Sequence, residues 1–212
     1  MTRALPDTSP GRAARIRKDP AIRSEEIISA ACRLFVQEGA TAFNLRRVAA
    51  LSGIRLSTLQ HHFPSRESLL TETFDRLVGD LVIPITRLAA DSSQAPEHRL
   101  KTLSELSIRY FSEARTADFL SEIFALGQQD QFVKDLLGRH YQAFEDAFVV
   151  VLKDVNSACP APRLRDMAIF IATQLQGLML FVRRETAAVD SSTLVSQQLD
   201  QLLALTLGMI RE

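Results

Sequence analysis

Tryptophan is absent from this chain, tyrosine occurs twice, and Cys32 and Cys159 are the only cysteines. Two cysteines so far apart offer neither metal-ligand spacing nor a disulfide framework. Cys32, on an expected helix face, reads as a small core residue. The eight glycines (Gly11, Gly39, Gly53, Gly79, Gly127, Gly138, Gly177 and Gly208) are scattered singly, so no glycine-rich loop is present to cradle a phosphate. His61 and His62 are adjacent, and on a helix neighbours point about 100° apart, so they cannot face one metal together. No metal site and no cofactor are expected. Ser, His and Asp are all available, but no strained strand-to-helix turn presents a nucleophile, and no catalytic residue is expected. Long apolar runs are missing too. The richest stretch, Ala168 to Val182, is interrupted by Thr173, Gln174 and Gln176, too soon to span a bilayer. The basic, proline-containing N-terminus has no apolar segment of the kind a secretory signal needs. A cytoplasmic protein without a membrane partner is the expectation.

Net charge is lacking as well: 25 Lys and Arg balance 25 Asp and Glu over 212 residues. Taken whole, that argues against nucleic acid. Divided, it does not. Residues 1–66 carry eleven basic against five acidic side chains, a net of +6, and the remainder carries fourteen against twenty, a net of −6. The positive field is therefore local to the N-terminal third, where it would attract phosphates and make binding salt-dependent. Within it, residues 1–23 hold six basic residues and three prolines, with too little apolar surface to fold alone. They read either as a flexible basic arm for a minor groove or as a solvated tail, the tail being the commoner outcome at a terminus.

With 46% hydrophobic residues the chain can bury a substantial core, and every strong periodic signal is helical. A first helix should begin at Ser24, with Glu25 and Glu26 favoured by the helix dipole. Its apolar stripe is Ile27, Ile28, Ala31, Leu34 and Phe35, and Gly39 suits the left-handed position after its end. From Asn44 to Phe63 two short helical patterns flank Ser52-Gly53, too close together for an antiparallel hairpin, so they must cross steeply. Asn44 is a good N-cap for the first. Ala49 leaves room for close approach, while Ile54 and Leu59 anchor the second, which Pro64 ends. What stays outside on that second helix is Arg55, Ser57, Thr58, Gln60 and His61: donors, acceptors and one fixed positive charge, a surface for the edge of a DNA groove.

The stretch RSEEIISAACRLFVQEGATAFNLRRVAALSGIRLSTLQHHFPSRESLL resembles the DNA-binding domain of TetR-family transcriptional regulators. The likeness rests on Gly39, Val48-Ala49, Gly53, Thr58-Leu59, His61 to Phe63, Ser65 and Leu69. Two residues depart from the family pattern: Gln60 stands where a tyrosine is usual, and no serine caps the recognition helix at Arg55. Gln60 is then a candidate for a base edge rather than a phosphate. The resemblance implies a helix-turn-helix domain over 24–70 contacting DNA through Asn44, Arg46, Arg55, Ser57, Thr58, Gln60, His61, Ser65 and Arg66, with His62 packed beneath.

Ser65 should cap a fourth helix carrying Leu69, Leu70, Phe74, Leu77 and Leu81 and ending near Pro84. Five further helices fit between turn signals at 91–96, 127–131, 156–162 and 189–192, giving an all-α chain of about nine helices with a helical effector-binding and dimerisation domain over 71–212. Ala168 to Val182 is apolar nearly all round, so something must cover both its faces. The final helix carries Val195, Leu199, Leu202 and Thr206 in a seam. Together with Phe170, Leu178 and Phe181 this reads as a four-helix interface between two copies, the alternative being an intrachain core. Resemblance to the family implies the homodimer and a small-molecule pocket. Arg109, Tyr110, Phe124, Tyr141, Phe144 and Gln174, polar or aromatic residues within or beside apolar stripes, are the candidate lining.

The expectation is a regulator, a repressor, that holds a palindromic double-stranded DNA operator as a homodimer and releases it on binding a small, largely apolar effector. A rival of another class is a helical adaptor that keeps the helix-turn-helix only for packing, and a third is a small helical enzyme using the second-domain cavity. A salt titration on random duplex separates the first two, since the adaptor predicts no slope.

Overall fold

The structure, a computed structural model, describes the backbone of residues 20–182 and 191–211, without the side chains of 80, 81, 112, 114, 115, 179–182 and 191–194. Most of the basic arm, the side chains of Leu81 and Phe181, and part of the turn at 189–192 lie outside the described residues. Among those described, every element is helical: nine α-helices and one 3-10 turn.

Helix α1 spans Pro20–Glu38, four residues earlier than Ser24. Proline suits a first helical position because its missing N–H would have no partner there. Ser24 serves a different purpose, since its hydroxyl sits 3.0 Å from Nδ1 of His62 and ties α1 to the recognition helix. The expected stripe is buried, with Ile27, Ala31, Leu34 and Phe35 all inside. Gly39 follows α1 at φ 78, ψ 179, a region essentially reserved for glycine, and the chain passes through a 3-10 turn, Ala40–Ala42, into α2, Leu45–Leu51. Asn44 caps α2 by accepting from the Arg47 N–H at 3.0 Å. Gly53 turns the chain at φ 63, and α3, Leu56–His62, packs across α2 over the small, buried Ala49.

Helix α4 runs Arg66–Ala90, six residues past Pro84, where the sequence pattern suggested a stop. A proline inside a helix loses one backbone bond and crowds the carbonyl four residues earlier, at about 3 kcal/mol. Tertiary contacts beyond it offset that cost. Ile85 and Ala89 are buried, and burying one such large side chain contributes about 1.5–3 kcal/mol. Arg99, itself 2% exposed, donates to the Ala89 carbonyl at 2.6 Å and to Asp154 at 2.6 Å, so a last-turn carbonyl of α4 has a charged partner. The helix crosses the expected 70/71 boundary without a break.

Behind it lie α5 (Pro96–Ser112), α6 (Ala114–Gly127), α7 (Gln131–Val155), α8 (Ala161–Val182) and α9 (Ser191–Arg211). Helix α7 is central, packed against α4, α5, α6 and α8, with Val133, Leu136, Phe144, Phe148, Val151 and Leu152 buried. His140 on α7 meets Asp75 of α4, Nε2 to carboxylate, at 3.0 Å. Helix α8 buries Ala168, Ile171, Ala172 and Leu175, while Ile169 is 40% exposed and Phe170 and Leu178 are half-buried. In α9, Leu199, Leu202 and Thr206 are buried against the chain's own core, while the large apolar side chains of Leu205 and Met209 are exposed. No helix among the described residues is long and apolar enough to cross a membrane.

The two left-handed glycines should respond differently to alanine. A Cβ on Gly39 would lie 3.0 Å from the Glu122 carboxylate, whereas one on Gly53 meets nothing within 4 Å. Gly53→Ala should cost about 1 kcal/mol from backbone strain alone, and Gly39→Ala about 2–3 kcal/mol, as read by urea unfolding. Equal costs would mean that neither the crowding against Glu122 nor the glycine-only backbone of Gly39 adds to the strain.

Candidate nucleic-acid interface

The interface begins with the burial of one leucine. Leu59 is fully enclosed, Ile54 and Leu56 are half-buried, and together they turn the remaining face of α3 outward. That face consists of Ser57, Thr58, Gln60 and His61, all exposed, preceded by exposed Arg55 at the N-cap. Arg55 makes no side-chain cap; its carbonyl accepts from Thr58 and Leu59 N–H at 3.0 and 3.1 Å, which leaves its guanidinium directed by nothing in the turn. His62, half-buried and held by Ser24, packs beneath the helix as its spacing suggested.

The cationic residues divide into two groups. Arg46 and Arg55 are exposed, and no carboxylate among the described residues pairs with either. Arg47 is held by Glu38, Nε to Oε2 at 2.8 Å. Arg66 departs from what its sequence position suggests. Its Nη1 lies 3.0 Å from Oδ2 of Asp130, both side chains little more than a quarter exposed, so the guanidinium is directed across the protein at the start of α7. Ser65 is similarly committed: its hydroxyl accepts from Ser68 N–H at 3.1 Å, and its own N–H donates to the Ser68 hydroxyl at 3.2 Å, a reciprocal cap on α4. Asn44 remains exposed but spends its side chain on the α2 cap and on the Ala42 carbonyl at 3.2 Å.

The six candidate effector residues are not brought together. Tyr110 lines a cleft of about 360 Å³ between α1, α4, α5 and α6, with Cys32, Arg33, Val36, Leu77, Glu113, Thr116 and Phe119, and its hydroxyl donates to the Leu77 carbonyl at 2.6 Å. Phe124 and Tyr141 stack on each other at 5.7 Å, and burial holds the Tyr141 hydroxyl well above the ordinary phenol range. Phe144 is wedged between Phe111 and Phe148 as core. Arg109 faces solvent, because Ile108 and Phe111 take the inward positions of α5. Gln174 is exposed on α8, in a groove between α8 and α9 lined also by Phe170, Leu178, Gln198, Gln201, Leu202 and Leu205.

That groove holds three of the seven residues expected at a subunit contact, Phe170, Leu178 and Leu202. Leu199 and Thr206 instead point into the chain's own core. Spacing fixes that Leu199, Leu202 and Thr206 share one face, but not which side of the helix meets α5 and α8. The cleft residues of α1 and α6 are not legible in the sequence at all, since no local signal announces that Cys32 and Phe119 will line one cavity.

Residues 27–73, which comprise α1 from Ile27, α2, α3 and the start of α4, match the family model described as bacterial regulatory proteins, tetR family. The HTH-type transcriptional regulator BetI of Rhizobium meliloti (strain 1021) is 24% identical over 80% of this chain and 82% of its own length. The HTH-type transcriptional repressor BdcR of Escherichia coli (strain K12) is 25% identical over 73% and 76%. In shape, a solved protein of Pseudomonas aeruginosa PAO1 matches with a TM-score of 0.73 over 92% of this chain and 95% of its own, at 18% identity. With an exposed α3 face carried on that fold, residues 27–73 have the DNA-binding segment of the tetR family of bacterial regulatory proteins, and the chain as a whole is similar to HTH-type transcriptional regulators.

Proposed function

We propose that the chain is an effector-released repressor that grips a palindromic operator as a homodimer, placing α3 of each copy in a major groove. The observation that carries this reading is the outward face of α3. Arg55, Ser57, Thr58, Gln60 and His61 stand exposed with no long apolar side chain among them, over a helix whose inner face is locked by Leu59. Thr58 and Gln60 are the base readers; amide and hydroxyl groups can pair with base edges in the major groove. Arg46, Arg55 and His61 take phosphates, which position the head without reading sequence. Repression is supported by the similarity to BdcR, a transcriptional repressor.

The subunit contact is assigned to the exposed faces of α8 and α9 around Phe170, Leu178 and Leu205. Leu205 is 58% exposed, and a large apolar side chain beside an apolar groove favours burial against a second copy. The effector site is assigned to the cleft around Tyr110 and Phe119, whose walls are contributed by α1 and α4 on one side and α5 and α6 on the other. A ligand bound there would favour one separation of these helices over another, and it shifts DNA binding only to the extent that its affinity differs between the two.

Duplexes selected from a random pool should be pseudo-palindromic, and footprints should show two protected grooves one helical turn apart, about 34–36 Å. Gln60→Ala should relax base preference at one position of each half-site by about 1–3 kcal/mol, while Arg55→Ala weakens all sequences alike; equal losses across sequences for Gln60→Ala would remove it from base readout. Leu205→Glu, checked by native mass spectrometry, should move the protein from dimer to monomer and abolish two-groove footprints. A dimer that survives this change would place the contact elsewhere.

A further inference from the structure

The recognition helix is joined to the rest of the molecule immediately behind its C-terminus. Phe63, Pro64 and Ser65 separate α3 from Arg66, the first residue of α4, so whatever holds Arg66 holds the angle of α3. What holds it is Asp130, 64 residues away in sequence, at 3.0 Å. The two oxygens of Asp130 serve different partners. Oδ2 receives Arg66, while Oδ1 accepts from the N–H groups of Phe132 and Val133 at 3.0 and 3.3 Å and so begins α7.

Two neighbouring contacts bind the same corner of the body to the head. Oε2 of Glu122 on α6 accepts from the Ala40 N–H at 3.4 Å. Phe119, one turn earlier, places its ring edge-on to Phe35 at 5.2 Å. Together with Asp130 these come from α6 and from the loop joining it to α7. The polar ones meet the chain on either side of the α2–α3 pair: Glu122 at Ala40 before it, Asp130 at Arg66 after it.

We propose that the Arg66–Asp130 pair is a positioning latch that fixes the pitch of α3 relative to the body, and that Asp130 thereby acts on DNA affinity without touching DNA. This goes beyond the operator-binding reading and rests on it. A dimeric reader must place two heads in two grooves at once, and any rocking of each head must be suppressed on binding. A latch closed in the free protein removes that rocking beforehand. The alternative role for Arg66, a phosphate contact, makes the opposite demand on Asp130, because an arginine freed from its carboxylate would be more available to DNA.

The test uses the full-length protein and a duplex that it selects from a random pool, with affinities of wild type, Arg66→Gln, Asp130→Asn and the double variant measured over a range of salt. Asn is itself a good N-cap, so Asp130→Asn keeps the start of α7 and removes only the charge. A partly exposed pair is worth about a factor of three per head; over two heads the latch therefore predicts a roughly tenfold loss in each single variant. The double variant should bind no more weakly than the weaker single one, and all four proteins should share one slope of log affinity against log salt. If Arg66 instead neutralises a phosphate, Arg66→Gln should make that slope shallower by about 0.9 per phosphate released, and Asp130→Asn should bind as tightly as wild type or tighter. That pattern, or additive losses, overturns the latch. Melting curves establish that each variant is folded; should Arg66→Gln unfold, the affinity and slope of Asp130→Asn decide alone. Wild type that selects no duplex at all would defeat the operator-binding reading, an outcome distinct from failure of the latch.

Discussion

The molecule depends on an unbroken chain of aromatic contacts between head and body. Phe43 meets Phe35 at 5.5 Å, Phe35 meets Phe119 at 5.2 Å, Phe119 meets Phe74 at 5.5 Å, and Phe74 meets His140 at 4.3 Å, nearly all edge to face. Each link joins a different pair of elements, so the apolar interior under the recognition helix is continuous with the interior of the helical bundle. Edge-to-face pairs of this kind contribute about 0.5–1.5 kcal/mol beyond their buried area. More important for function, they leave no layer of water or loop between the two parts. Phe35, one helix away from the exposed face of α3, is thereby in direct contact with α6.

Charge is distributed with the same economy. The N-terminal third carries its net of +6, yet several of its arginines are already spoken for within the described residues. Arg47 is held by Glu38 and Arg66 by Asp130, and Arg76, just beyond, is held by Glu25. Fewer guanidinium groups are therefore available to phosphates than the count of arginines implies, with Arg46 and Arg55 exposed and held by no carboxylate among the described residues. An arginine count overstates DNA contacts wherever guanidinium groups also tie helices together, as their forked donors suit them to do.

Helix positions are legible in the sequence because they follow from local rules. Asn44 and Ser65 act as caps, Gly39 and Gly53 take positive φ, and the stripes of α1 and α7 are buried as their spacing requires. Local rules fail where a partner distant in sequence decides the outcome. Ser24 has the chemistry of a cap and is a partner for His62; Pro84 has the chemistry of a stop, but Ile85, Ala89 and Arg99 carry the helix past it. In the site, the outward set on α3 can be read because it is the complement of Leu59. Arg66 cannot, because nothing near it in sequence announces Asp130. The candidate effector residues are the least legible: periodicity identifies residues that face inward, and an inward-facing aromatic such as Phe144 is ordinarily core.

Pro84 has a mechanical consequence for α4. A helix interrupted by proline lacks the amide that would close the turn onto the carbonyl of residue 80, so one backbone hydrogen bond fewer resists bending at that turn. An uninterrupted helix would therefore pass a displacement near Ala90 to Arg66 more stiffly than this one does. Helix α4 is then a poor drive shaft over its full length, and the segment between the joint and the head, braced by α1, α6 and α7, is the part best able to behave as a lever.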